Sequence, residues 1–333
     1  IATMANESIF STDLFTAESL TGSINKAPYV PGQIAALKLF EEEGIATTKA
    51  SIELKNNTLQ LVPSIGRGAP APVFRPGQRE GLSFECAHLI QRSTLLADSI
   101  QDVREFGTTE LKTLQGTLDN DHLAPMRLNL EATIEFHRIG AIKGQILDAS
   151  GGVLIDLWSE FGVSQQSIDV DLDTATTKII NKIMAAKRLA EGALGAAKPS
   201  GWIALCSPAF FDALQGHPSV ENFSVGWAAA AMLRDDVRDS FSVGGVTFAE
   251  YRGSYNGTDF IPAGEAYLIP QGIPKLFITR FGPADYAEAV NTLGLPLYAK
   301  SHMLPFNRGA MIEAQSNPVN LCSIPRAVIK LTA

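Results

Sequence analysis

Five histidines, three cysteines, a run of aspartates and three loop arginines are the residues of this chain whose types could do chemistry. His88, His122, His137, His217 and His302 could serve as metal ligands or general bases only if they shared a ligand spacing. They share none with one another or with Cys86, Cys206 and Cys322. The cysteines are odd in number and far apart, which fits reduced, buried thiols of a cytoplasmic product and not a disulfide framework. Asp148, Asp156, Asp169, Asp171 and Asp173 crowd one region, and turn, cap and solvated-face roles account for them. There is no Walker-type phosphate loop, no GxGxxG after a strand, no GxSxG elbow and no HExxH. The residues therefore assign no catalytic group, no cofactor site and no metal site. His137 falls on the inner stripe of a helix with no nucleophile or paired carboxylate beside it, so a hydrogen-bonded core or interface histidine is expected.

The arginines are a different matter. Residues 66–79, Gly-Arg-Gly-Ala-Pro-Ala-Pro-Val-Phe-Arg-Pro-Gly-Gln-Arg, carry Arg67, Arg75 and Arg79 and no acid until Glu80. Repeated Pro and Gly forbid helix and central strand there, so the segment is extended and exposed. It reads either as a solvated loop or as a reaching loop whose arginines pair with carboxylates on another subunit.

The element that must position everything else is Glu131–Gly162. Leu123, Met126, Leu130, Ile134, His137 and Ala141 recur at helical spacing, and the period then switches. Gln145–Asp148 and Val153–Trp158 are short apolar runs around Ala-Ser-Gly-Gly, the turn chemistry of a hairpin. Before this girder, residues 1–45 hold only a short helical pattern (Ile34, Leu37, Leu39, Phe40) that Glu41–Glu43 carry to a stop at Gly44. That is too little for a core of its own. Ile52 and Leu54 alternate, Asn56-Asn57 reads as a turn, and Leu59 and Leu61 read as the return strand. From Ser93 to Lys143 the pattern is mostly helical, with Pro125 expected to kink or split it.

Residues 173–196 read as a second helix capped by Asp173 or Thr174. Trp202–Cys206 reads as a buried strand, Pro208–Gln215 and Val225–Arg234 as helices, and 245–251, 265–269 and 276–280 as strands. The chain from Leu297 to Leu331 is again β-rich. The stretch from Trp202 to Arg280 reads as an α+β or α/β domain of about average size, and α+β is the class expected for the chain once the resemblance below is included.

Composition narrows the function. A chain of 333 residues that is 45% hydrophobic and 19% charged is globular, and a net charge of −8 argues against a surface built to grip phosphates. No apolar run reaches the roughly eighteen residues of a membrane span. The first fifteen residues lack the features of a secretory signal, and Met4 reads as a natural start.

Residues 281–300, Phe-Gly-Pro-Ala-Asp-Tyr-Ala-Glu-Ala-Val-Asn-Thr-Leu-Gly-Leu-Pro-Leu-Tyr-Ala-Lys, resemble the signature of tailed-phage major capsid proteins of the lambda E type. So do residues 309–326, from Gly-Ala-Met-Ile-Glu-Ala-Gln-Ser-Asn-Pro to Pro325-Arg326. The stretch 131–162 is similar to that family's Glu, then Arg-x-Gly-Ala-x-Lys-Gly, then Asp-Ala-x-Gly, and the early segment matches in Ile24-Asn25, Pro28, Gly44, Thr47-Thr48 and Arg67-Gly68.

The resemblance implies the HK97-like capsid fold. It would make 1–45 an N-terminal arm, 46–92 an extended β loop over a neighbour and 93–170 a peripheral domain with the spine helix and hairpin. Residues 171–304 would be an axial domain, and 305–333 strands returning to the peripheral domain. It implies a non-enzymatic protein that assembles with itself as hexamers and pentamers around phage double-stranded DNA, without sequence-specific binding. Its place is the virion, after assembly in the host cytoplasm. The implied partners are a scaffolding protein and the portal, with a decoration protein as a further candidate. Fewer than the roughly hundred residues of a separate domain precede the spine, so scaffolding is expected from another protein. The family's Lys–Asn crosslink has no motif here and is expected to be absent. Two rivals stand beside this reading. One is a cellular nanocompartment shell of the same fold; the other is an acidic α/β hydrolase, which would need a nucleophile–base pair.

Overall fold

The computed structural model describes residues 20, 21, 24, 32–55, 79–99, 121–220, 240–255 and 257–333. In chain order the first elements are α1 (Gln33–Leu37), β1 (Phe40–Gly44), β2 (Lys49–Lys55), β3 (Arg79–Glu85) and β4 (Leu89–Leu96). The spine helix α2 (Ala124–Lys143) follows, then β5 (Gln145–Leu147), β6 (Val153–Asp156), α3 (Leu157–Glu160), β7 (Gln166–Asp169) and α4 (Ile179–Leu194). Next come β8 (Gly201–Cys206), α5 (Pro208–Gln215), β9 (Phe241–Val243), β10 (Val246–Glu250), β11 (Ser254–Tyr255) and β12 (Thr258–Asp259). The chain closes with β13 (Glu265–Gln271), β14 (Phe277–Phe281), β15 (Tyr298–Met303), β16 (Gly309–Ser316), β17 (Pro318–Cys322) and β18 (Ile329–Thr332).

Local chemistry fixes several of these ends. Ser207 Oγ accepts the Phe210 N–H at 3.4 Å and Pro208 fills the first turn of α5, where its missing N–H costs nothing. Asp156 Oδ1 accepts the N–H groups of Trp158 and Ser159 at 3.0 and 3.4 Å and so starts α3. Gly144, at φ 88°, stops the spine helix, and a Cβ there would lie 2.2 Å from the Trp158 ring. Only glycine fits.

Four sequence expectations are corrected. The helix over Ile34–Phe40 ends at Lys38 in the left-handed region, and Phe40–Gly44 is a strand. Glu favours helix in isolation, but here the three glutamates form the middle of an edge strand hydrogen-bonded to β14, and tertiary pairing overrides propensity. The helical reading from Ser93 fails over its first residues, because Leu89–Leu96 pairs antiparallel with β16. Pro125 does not kink the spine. It sits in the first turn of α2, directly after a π-helical turn at 121–123. Finally, α4 begins at Ile179 without a side-chain cap. Thr174 and Thr177 instead donate their hydroxyls to Asp171 at 2.8 and 2.7 Å, closing a separate turn. The partner of β2 is β3; the return strand read at Leu59 and Leu61 and the helix read at Val225–Arg234 lie outside the described residues.

The chain divides into two compact units. The first gathers the described residues up to Ala50 with Phe84–Arg138 and Ile278–Asn320. Its antiparallel sheet β15-β16-β4 aligns Tyr298 with Gln315 and Gly309 with Leu96. Leu95, Ala299, Ala310, Ile312 and Ala314 from this sheet form one core with Leu123, Met126 and Leu130 of the spine and with Leu20 and Ile24. A second sheet, β1-β14-β17, is tied by a buried bond from Thr279 Oγ1 to Asn320 Oδ1 at 2.6 Å.

The second unit gathers Ser51–Ser83, Ile139–Phe277 and Leu321–Ala333. Its six-stranded mixed sheet runs β7-β18-β13-β8-β10-β9, with β8 parallel to β10 and antiparallel to β13. Ile179, Ile183, Ala186 and Ala190 of α4 and Phe210, Phe211 and Leu214 of α5 join one core with Ala204, Phe248, Leu268 and Ile329 of the sheet. Phe241 stacks on Phe248 with ring centroids 5.6 Å apart. The hairpin β5–β6 forms as the sequence reads, with a bulge between Ile146 and Leu147.

Gly294 marks the closest backbone approach in the first unit. Its N–H donates to Ile45 O at 3.0 Å, and a Cβ on it would stand 1.9 Å from Phe281 O. Gly294→Ala is therefore expected to cost about 1–3 kcal/mol in urea unfolding. Gly81→Ala, where an added methyl meets nothing within 4 Å, should stay within about 0.5 kcal/mol of the parent.

Candidate inter-subunit interface

The three loop arginines are the sequence's candidates for contact with a neighbour. Arg67 and Arg75 lie outside the described residues. Arg79 opens β3, which pairs with β2; along this ribbon Lys49 meets Glu85 at 2.7 Å.

What the structure brings together instead is a charged stripe on the spine helix. At 100° per residue Arg127, Glu131, Glu135 and Arg138 fall within about 80° of one another, directly beside the apolar stripe that enters the core. Arg127, Glu135 and Arg138 are buried. A buried charge is tolerated only when paired and hydrogen-bonded. The partners come mainly from the N-terminal residues. Arg127 Nη1 donates to Ile24 O at 2.6 Å while its Nε donates to Glu131 at the same distance. Glu135 Oε1 accepts the N–H of Ile34 at 2.7 Å, one of the first-turn donors of α1 that the short helix cannot satisfy itself. Gly32 lies against the same carboxyl, and a Cβ there would be 2.4 Å from Glu135 Cδ. Arg138 donates to Glu42 and lies over the Phe40 ring, 5.5 Å from its centroid. Farther along β1, Arg280 reaches Glu43 at 3.1 Å and Glu41 at 3.7 Å.

Burial outweighs the Arg127 contact at Glu131 and pushes its carboxyl above the ordinary range. The stripe is thus a rail that holds Ile24, Ile34 and Glu42 by backbone-directed and charge-assisted bonds. The sequence reading missed it because it followed only apolar spacing along this helix. Charges recurring at i, i+4, i+8 and i+11 within a helix beside an apolar stripe were the available signal.

A second group pins the loop that carries the resemblance. Asn317 Oδ1 lies 2.7 Å from His88 Nδ1, while its amide donates to Pro283 O at 3.0 Å. Ser316 Oγ donates to Pro296 O at 2.6 Å, and the Tyr298 hydroxyl accepts the Leu295 N–H at 2.8 Å.

The chemistry-bearing residues are used structurally. His137 is buried, as expected for a core histidine. His217 is clamped between Ser219 Oγ and Thr174 O at 2.9 and 3.1 Å, and His122 meets Ser93 at 2.7 Å. All three cysteines are free thiols. Burial raises Cys86 to about 11 and Cys322 to about 12, and raises the buried Cys206 as well, so none is a thiolate at neutral pH. Among the described residues no His, Cys, Asp and Glu cluster could hold a metal, and no helix is long and apolar enough to cross a membrane.

Comparison with known proteins bears on what such a scaffold is for. Residues 16–333 match the family model of phage major capsid protein E. The chain is 29% identical over 338 residues to the major capsid protein of Pseudomonas phage KPP10, covering 95% of this chain and 96% of that one. It is 24% identical over 357 residues to the major capsid protein of Salmonella phage Felix O1, covering 96% of each. Among solved structures, the capsid of cyanophage Pam1 superposes with a TM-score of 0.56 at 13% identity, over 89% of this chain and 88% of that one.

Removing the rail's central carboxylate should release the arm. Glu135→Ala is expected to cost about 1–3 kcal/mol, since it leaves the buried Ile34 N–H unpaired. In native-state hydrogen exchange the Ile34 amide should lose its protection, while the amides of α4 in the other unit keep theirs.

Proposed function

The chain belongs to the phage major capsid protein E family and has the HK97-like capsid fold, and from that premise we propose how it works as a shell protein. It assembles with itself, as hexamers and pentamers, into the icosahedral head that encloses phage double-stranded DNA. The observation that carries this reading is an N-terminal segment with too little apolar surface for a separate core, held on the spine's charged rail, together with a two-stranded ribbon, β2–β3. Such segments gain stability by burying surface on neighbours, and a closed shell supplies the same neighbour many times. In this scheme 1–45 is the arm and 46–92 the loop laid over an adjacent subunit. Residues 93–170 and 171–304 take the peripheral and axial roles, and 305–333 supply the closing strands.

The scheme assigns Arg67, Arg75 and Arg79 to ion pairs with carboxylates of that neighbour. Exposed pairs are worth less than about 1 kcal/mol each and are screened by salt, whereas pairs desolvated beneath the loop are worth more. A net charge of −8 suits a container that receives DNA without gripping it. A scaffolding protein and the portal are the proposed assembly partners, and a decoration protein is a candidate outer partner. Assembly takes place in the host cytoplasm. The family match favours the viral head over a nanocompartment of the same fold, and packaged DNA in purified particles separates the two.

Electron microscopy of the expressed protein, alone and with its scaffold, should show shells or sheets of hexamers and pentamers. A monodisperse monomer under every condition overturns the proposal. Replacing Arg67, Arg75 and Arg79 by Ser should leave circular dichroism unchanged, lower shell yield and make surviving shells dissociate at lower salt. Unchanged yield and salt tolerance would reduce the loop to a solvated tether. Trypsin should cut between Arg67 and Arg79 in free subunits and be blocked in mature shells; equal cutting in both would count against the overlying loop.

A further inference from the structure

In the first unit, strand β15 separates two exposed apolar features that have no counterpart on each other's end. Beyond its far end the hairpin to β16 closes through Leu304 N–H donating to Gly309 O at 2.9 Å, and Phe306 stands at the tip. Phe306 is 91% exposed and sits at φ 62°, ψ 21°, in the left-handed region. A bulky non-glycine residue there is strained, and full solvation of the ring returns nothing for it. Arg308 lies beside the ring, 5.8 Å from its centroid.

Before the near end of β15 runs the strap 284–297. It exposes Val290, Leu293 and Leu295 to 64%, 70% and 44%. This strap is built, not loose. The Thr292 hydroxyl donates to Ala289 O at 2.8 Å, Gly294 N–H donates to Ile45 O, and Tyr298 holds the Leu295 N–H. Ala284, Ala289 and Tyr298 form a small core beneath it, with Tyr286 packed against them. Two exposed carboxylates precede the aliphatic residues, Asp285 and Glu288, the second paired with Lys300 at 2.9 Å.

We propose that Phe306 of one subunit seats on the Val290–Leu293–Leu295 strap of a second copy of this chain. The inference rests on the shell reading above and adds a specific contact to it. Three observations select a second copy as the occupant. Tip and strap lie at opposite ends of a six-residue strand, about 20 Å apart, so a subunit cannot satisfy its own tip. The charges are complementary, with Arg308 beside the knob and Asp285 beside the seat, where Glu288 is already paired with Lys300 at 2.9 Å. The pairing is also head-to-tail, and such a contact closes into rings when its rotation closes, as a shell requires.

The test joins the two features covalently. In the double variant Phe306→Cys, Leu293→Cys, oxidation of assembled particles should give a non-reducing ladder from dimer upward, while each single variant stays monomeric. Particles that form but give no ladder overturn this contact and leave the shell reading standing. A dimer from Phe306→Cys alone would show a tip-to-tip contact and also overturn it. Parent protein that forms no particles with its scaffold overturns both readings. Because the cysteine itself can weaken assembly, hydroxyl-radical footprinting of the parent protein gives a second measure. Phe306 should be oxidised at least about tenfold less in particles than in free subunits, and equal oxidation overturns the proposal. Phe306→Ser should lower particle yield by about an order of magnitude or more without lowering the thermal midpoint of the free subunit. A lowered midpoint with unchanged yield would mean that the ring is covered by its own chain.

Discussion

The spine helix must satisfy two sets of partners at once. Its apolar stripe, with Leu123, Met126 and Leu130, packs in the core formed with β15, β16 and β4, and the adjacent stripe of Arg127, Glu131, Glu135 and Arg138 holds backbone and carboxylates of the N-terminal residues. The two stripes differ in what an error costs. Apolar packing tolerates a volume-conserving exchange at modest expense, whereas a buried carboxylate or guanidinium left without its partner loses several kcal/mol. The charged stripe therefore fixes sharply where Ile24, Ile34 and Glu42 meet the spine.

The same logic recurs at smaller scale around residues 281–317. Asn317, Ser316 and Tyr298 each spend a side-chain hydrogen bond on the backbone of a loop that has no regular structure of its own. At its crossing point Gly294 lets two backbones meet where no side chain fits. A loop fixed in this way can present exposed residues at constant geometry, which is what a repeated contact needs. In a shell of identical subunits a contact of modest free energy is multiplied over the assembly.

The second unit is built conventionally by comparison. Two amphipathic helices cover a mixed sheet whose central strand, β8, is buried along nearly its whole length. Cys206 and Cys322 are held protonated by burial, and Lys330 pairs with Glu265 at 2.6 Å while Tyr267 donates to the same carboxyl at 2.8 Å. These are the roles of residues that keep a domain rigid, in a family whose work is structural.

The sequence alone determined those elements whose signals are local. The hairpin Gln145–Asp156 follows from its turn chemistry, α5 from Ser207-Pro208, α4 from a run of apolar residues at helical spacing, and β8 from a short continuous apolar run. Each depends on contacts within a few residues, so each is legible in one dimension. The motifs at 281–326 carried the family as well, and they fall on the mostly buried strands β16 and β17 and on the strap before β15. Only the tertiary structure decided the strands Phe40–Gly44 and Leu89–Leu96, the pairing of β2 with β3, and the charged rail of the spine. Glu41–Glu43 favour a helix until Arg138 and Arg280 arrive from 96 and more residues away. Ser93 and Thr94 read as helix until β16 supplies a ladder more than two hundred positions later in the chain. Strand pairing and buried ion pairs join residues that are distant in sequence, and their energy exists only once the chain has brought them together.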